Sequence, residues 1–206
     1  MGFLAVVFAL ILLAPAFTPN TWAGETFSSS VKRPLGQAEF VTIEECIVTN
    51  VFIEAFDNIV HEPPGPLNSL SEVFISISQF DFCNQELVLG ASGSATLSDS
   101  DFQVSNKLES ATLMKTIEVF YSVSEPSFNV SVDLTWTGIG EPTNVNGHFH
   151  NMSPGFISNG PFMGTFLEAV AMGTVSDGAT NFTPDPSFLS ANIRLVRDGF
   201  ITVVKF

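Results

Sequence analysis

From Ala38 onward the chain alternates apolar and polar residues with a period of two, between clusters of Gly, Pro, Asn and Ser. Successive side chains of a strand point to opposite faces, so this pattern buries a core only as β-sheet. The clearest case is 128–137. Phe128, Val130, Val132, Leu134 and Trp136 share one face, and Asn129, Ser131, Asp133, Thr135 and Thr137 share the other. An antiparallel strand with one wet face has this form. The same reading predicts strands at 46–57, 72–82, 87–97, 111–122, 165–175, 192–197 and 200–205. Asp198-Gly199 between the last two is the signal of a two-residue hairpin, because Gly accepts the positive φ such a turn demands. The expected fold is all-β: a single antiparallel β-sandwich or flattened β-barrel over 38–206, its final edge blunted by Lys205 and that hairpin. The poor helix former 99–110 is the place for any helical turn.

Upstream of this domain, residues 1–23 have the layout of a secretory signal peptide. An apolar stretch, Gly2 to Phe17, is followed by Thr21-Trp22-Ala23, which places small residues at −3 and −1 of a cut before Gly24. No Lys or Arg precedes the apolar core, so a retained N-terminal anchor is the alternative. Residues 24–37, with Ser28-Ser29-Ser30 and Pro34, read as a flexible leader. The expected location is secreted or periplasmic, with no membrane contact in the mature chain.

Export gives the two cysteines a meaning. In an oxidising compartment Cys46 and Cys83 are expected to form a structural disulfide, since a redox pair would lie closer in sequence. If the two face each other across a hairpin, partners obey i + j = 129. The turn then falls within His61-Glu62-Pro63-Pro64-Gly65-Pro66, the strongest breaker cluster in the chain. A bridge between two packed sheets is the other arrangement.

The 7 basic and 21 acidic residues leave a net charge of −14, which excludes nucleic acid as a partner because counterion release needs Lys and Arg. The 21 Phe against one Tyr suggest rings that fill an interior rather than a sugar platform. His148 and His150 project from one face of a strand, as a pair of metal ligands must, but need a third ligand from His61 or a distant carboxylate. Asp99 and Asp101 offer hard oxygens that calcium accepts, without EF-hand spacing. No cofactor is expected, calcium at Asp99 and Asp101 being the alternative to carboxylates that satisfy loop N–H groups. There is no nucleophile elbow, phosphate loop or dinucleotide fingerprint.

A weak internal echo relates Thr96-Leu97-Ser98-Asp99 to Thr174-Val175-Ser176-Asp177, with Phe102 and Phe182 in matching places. At 100–120 (SDFQVSNKLESATLMKTIEVF), 131–138 (SVDLTWTG) and 173–184 (GTVSDGATNFTP) the chain resembles a loose group of uncharacterised small secreted bacterial all-β proteins. The resemblance implies a secreted β protein and carries over no site residues. The expected role is a secreted non-enzymatic β module for binding, adhesion or extracellular assembly, its partner an extracellular protein or small ligand. The alternatives are a secreted hydrolase or lyase with a carboxylate site, and an apolar small-ligand carrier.

Overall fold

The computed structural model describes residues 25–61, 67–122, 127–153, 156–182 and 189–204, so segment 1–23, expected to be a signal peptide, and Lys205 lie outside the described residues. The described elements are all strands: β1 (Glu25–Glu44), β2 (Ile47–His61), β3 (Leu67–Asp81), β4 (Glu86–Thr96), β5 (Phe102–Val104), β6 (Ser110–Tyr121), β7 (Phe128–Gly138), β8 (Thr143–Ser153), β9 (Phe156–Ser176), β10 (Asn181–Phe182) and β11 (Leu189–Val204). Antiparallel ladders run β1–β2–β3–β4–β6–β7–β9–β11 and return to β1, closing a barrel. The all-β expectation holds, in its barrel form.

The closure has a weak seam. β4 and β6 share only the pairs Ala91↔Tyr121 and Ser92↔Phe120. They approach so closely at Gly93 that a Cβ there would strike the carbonyl of Glu118, and a glycine resolves that clash. Beyond the seam β5 takes over the edge of β6, pairing Phe102 with Leu113. Phe102 and the buried Trp136 both lie against Gly36. At the opposite mouth, near the β1–β2 turn, β10 pairs Phe182 with Val175 and buries that ring. The two echoed Phe residues therefore plug opposite ends of one barrel.

Alternation fills the interior. Phe40, Val51, Ile53, Ile75, Ile77, Leu113, Ile117, Leu134, Trp136 and Ile193 are fully buried, as expected for a barrel of this strand number, whose bore side chains just fill. The indole of Trp136 donates to the Gln37 carbonyl at 2.9 Å, so its polar atom is satisfied in the core. Along β7 every inward residue from Val130 to Trp136 is buried and every outward one exposed.

Four expectations need correction. Residues 25–37 are not a leader but the first part of β1, held between β2 and β11. Pro34 is tolerated because the β1–β2 ladder skips that rung, while its carbonyl side still pairs toward Leu195. Asp198-Gly199 is mid-strand in an unbroken, interior β11. The glycine there admits the Pro161 ring, which would lie 3.4 Å from an added Cβ. The β2–β3 hairpin exists, but its register obeys i + j = 128, pairing Val51↔Ile77, Ile53↔Ile75 and Ala55↔Val73. A register of 129 would have set these inward residues against outward ones. Cys46 and Cys83 are bonded all the same, Cα atoms 5.6 Å apart, because Cys83 has already left the ladder in the turn after Asp81. Finally, Phe is not mainly interior among the described residues: Phe74, Phe80, Phe82 and Phe120 are exposed, and Phe52, Phe56, Phe162 and Phe166 are half-buried.

Several strands outrun the barrel. The early part of β1, the late parts of β2 and β11, and the first half of β9 continue past the mouth plugged by β5, and β8 joins them along β9. The result is an arm, a single-layer sheet in the order β3–β2–β1–β11–β9–β8, in which the first residues of β3 line the late part of β2. Both of its faces are mixed in polarity. On the barrel's outer side the arm carries Leu35 between Phe56 and Arg194, and Arg194 beside Phe166. The guanidinium of Arg194 stacks 5.0 Å from the Phe166 centroid and that of Arg33 5.9 Å from Phe56. The side continuous with the barrel interior sets Lys32, Arg197 and His61 among the apolar Ile59, Leu195, Met163 and Pro161.

Candidate functional site

That inner side of the arm is built by the ladders. One row across the arm reads Ile59, Lys32, Arg197, Met163, Asn146; the next holds His61, Ser30, Gly199, Pro161, His148. Burial falls along each strand as it leaves the core: Ile193 is buried, Leu195 half-buried and Arg197 exposed. Gly199 has no side chain and Pro161 is compact, so the second row sinks and a groove of about 390 Å³ opens beside Lys32, Ile59, His61, Pro161, Met163 and Arg197.

Its electrostatics are unusual for this molecule. Lys32 and Arg197 stand directly opposite one another on neighbouring strands, an arrangement that is destabilising unless an anion sits between them. Neither takes part in the ion pairs found among the described residues, Lys107–Glu109 and Lys115–Asp101. All three histidines, His61, His148 and His150, lie on this same face by strand alternation. The carboxylates nearby are turned or occupied. Asp57 accepts a 2.8 Å hydrogen bond from Ser71 Oγ. Asp198 borders the groove, but its side chain alternates to the other face, between Val31 and Phe162. There one carboxylate oxygen is buried without a hydrogen-bond partner. Burial raises its pKa, against the opposing pull of Arg33.

The residues nominated by sequence fall in different places. His148 and His150 are exposed on β8, on one face as expected. β1, β11 and β9 separate them from His61, and no third ligand joins them among the described residues. Asp99 and Asp101 lie in the loop before β5. The Asp101 carboxylate accepts bonds of 2.8 Å from both Lys115 Nζ and the Ser98 amide. The Lys115 hydrogen bond, then that of Ser98, lowers its pKa to about 2. It is committed to a turn and an ion pair. A further grouping, Cys46, Asp81 and Cys83, offers no thiolate, since its sulfurs are bonded to each other. Asp81 caps the turn instead, accepting from the amides of Cys83 and Asn84 at 2.8 and 3.0 Å.

Sequence reasoning missed Lys32 and Arg197. The available signal was that Lys32, Arg33, Arg194 and Arg197, four of the 7 basic residues, sit in two short segments that the fold pairs.

No family model and no curated protein matches the chain. A crystal structure from Nitrosomonas europaea, described as a "putative AttH", is similar with a TM-score of 0.28 and 10% identity over 87% of this chain. The matched region is 52% of that protein, so the chain spans about half its length. Likeness at this level carries no argument about the site.

Proposed function

We propose that this protein is an exported, non-enzymatic binding module whose arm holds an anion with an apolar body, such as a chain carboxylate. The observation that carries the reading is the facing pair Lys32 and Arg197, without a carboxylate partner among the described residues, in a molecule of net charge −14. The Arg fork and the Lys ammonium suit a carboxylate or similar headgroup. Ile59, Pro161 and Met163 beside them offer apolar contact to the attached chain. The disulfide, the signal-like segment 1–23 and the likeness to small secreted bacterial β proteins support export.

The rival readings have less to rest on. Trp136, Phe40 and the aliphatic rows occupy the bore that an internal carrier would leave open. Asp101 and Asp133 border a depression on the outer wall, where a hydrolase could place two carboxylates. A general acid needs a raised pKa, however, and Lys115 moves Asp101 the other way.

Titration calorimetry with decanoate, acetate and decyl maltoside tests the proposal. Decanoate should bind more tightly than either control, and the double variant Lys32→Gln/Arg197→Gln should weaken it roughly tenfold or more, at least about 1.4 kcal/mol. Equal binding of acetate, or decanoate affinity unchanged in the variant, would refute it.

A further inference from the structure

Among the described residues β8 is an edge strand with both faces bare. There it pairs only with β9, and each of its described side chains, from Thr143 to His148 and at His150, is exposed. Edge strands of this length are usually protected by Lys, Pro or inward charges. Thr143–Ser153 contains none of Lys, Arg, Asp, Glu or Pro. In a molecule this acidic, the uncharged strand is where two copies meet without repulsion, whereas an external acidic or basic partner would find no complementary charge on it. The same strand holds His148 and His150, two metal-type ligands lacking a third within their own chain among the described residues.

These observations complete each other. We infer that two copies join β8 to β8 in antiparallel fashion, and that the histidines of both together bind a zinc-like divalent ion. A twofold axis perpendicular to the sheet keeps like faces on the same side, so residues of equal parity face each other across the seam. With partners obeying i + j = 298, each His148 stands opposite the other copy's His150. Four imidazoles then gather on one face, the number a closed tetrahedral zinc site takes. Binding involves no redox step: neutral imidazole nitrogens donate lone pairs, and the ion's charge offsets part of the acidity of the joined copies. The inference uses the seam and is independent of anion binding in the groove.

Sedimentation velocity on the exported, oxidised chain decides the matter. In chelator the protein should sediment as a monomer. With zinc it should become a dimer holding one ion per two chains, and chelator should reverse the change. His148→Ala and His150→Ala should each abolish the zinc-driven dimer, and Val145→Lys, which places a charge on the seam, should weaken it roughly tenfold. Circular dichroism should show each variant folded, since these side chains are exposed. Sedimentation that is the same in zinc and in chelator, or a zinc-driven dimer that survives either histidine substitution, overturns the inference.

Discussion

The barrel and the arm are made from the same strands, yet they obey opposite rules. In the barrel, most inward positions are apolar and buried, the ring of ladders is closed, and a disulfide clasps the β2–β3 hairpin at its open end. A few residues further along β1, β2, β9 and β11, the inward face becomes Lys32, His61 and Arg197, and the aromatic residues move to the other side. Hydrophobic burial holds the first region together. The second is held mainly by backbone ladders, and Lys32, His61 and Arg197 are exposed on it.

This contrast can be broken experimentally. The largest expected effect is in the core: Trp136→Ala should cost about 3–5 kcal/mol in urea unfolding, through lost burial and the cavity left behind. Met163→Ala in the arm should stay within about 0.5 kcal/mol, as for other exposed sites. Equal costs would mean that arm and barrel share one core. Next comes the clasp. Replacing Cys46 and Cys83 by Ser releases a loop with a sequence separation of 37, and the melt should lose at most about 4 kcal/mol on chain-entropy grounds.

The smallest effects are electrostatic and opposite in sign. Asp101 has a folded pKa of about 2, below its ordinary 3.8, so its contribution is present above 3.8 and is lost as pH falls toward 2. Asp101→Asn should remove about 1 kcal/mol at neutral pH and flatten the acid limb of the stability profile. Asp198 in the arm has a raised folded pKa. Its ionised form is therefore a burden that is absent below 3.8 and sets in as pH rises toward the folded value. Asp198→Asn should be neutral or slightly stabilising at pH 7, and a loss of stability there would show that the carboxylate has a structural partner.

The barrel was legible in the sequence because its alternation is strict: 128–137 matches β7 almost residue for residue. The register of β2 and β3 was legible too, had the inward Val51, Ile53 and Ala55 been matched to Val73, Ile75 and Ile77 rather than cysteine to cysteine. The arm was harder to read, because its apolar residues change face midway. Leu195 belongs to the inner side and Val196 to the outer, so period-two counting breaks at a point where the strand does not. Asp198-Gly199 and Pro34 look like punctuation for the same reason. A proline at a skipped rung and a glycine under a neighbour's ring fit inside a strand, which local signals cannot disclose. The groove was invisible because Lys32 and Arg197 meet only through pairing of distant segments.

The position of β11 has a kinetic consequence. This strand lies between β1 and β9, and its ladder to β1 joins Phe40 to Leu189 and Glu25 to Val204. Until it arrives, β1 and β9 are raw edges, and the ring cannot close before residues 189–204 have joined the chain. Contacts of such sequence separation place folding on a timescale of about milliseconds to seconds. The open-sided intermediate is then the species most exposed to aggregation, and the one a holdase chaperone would have most reason to shield.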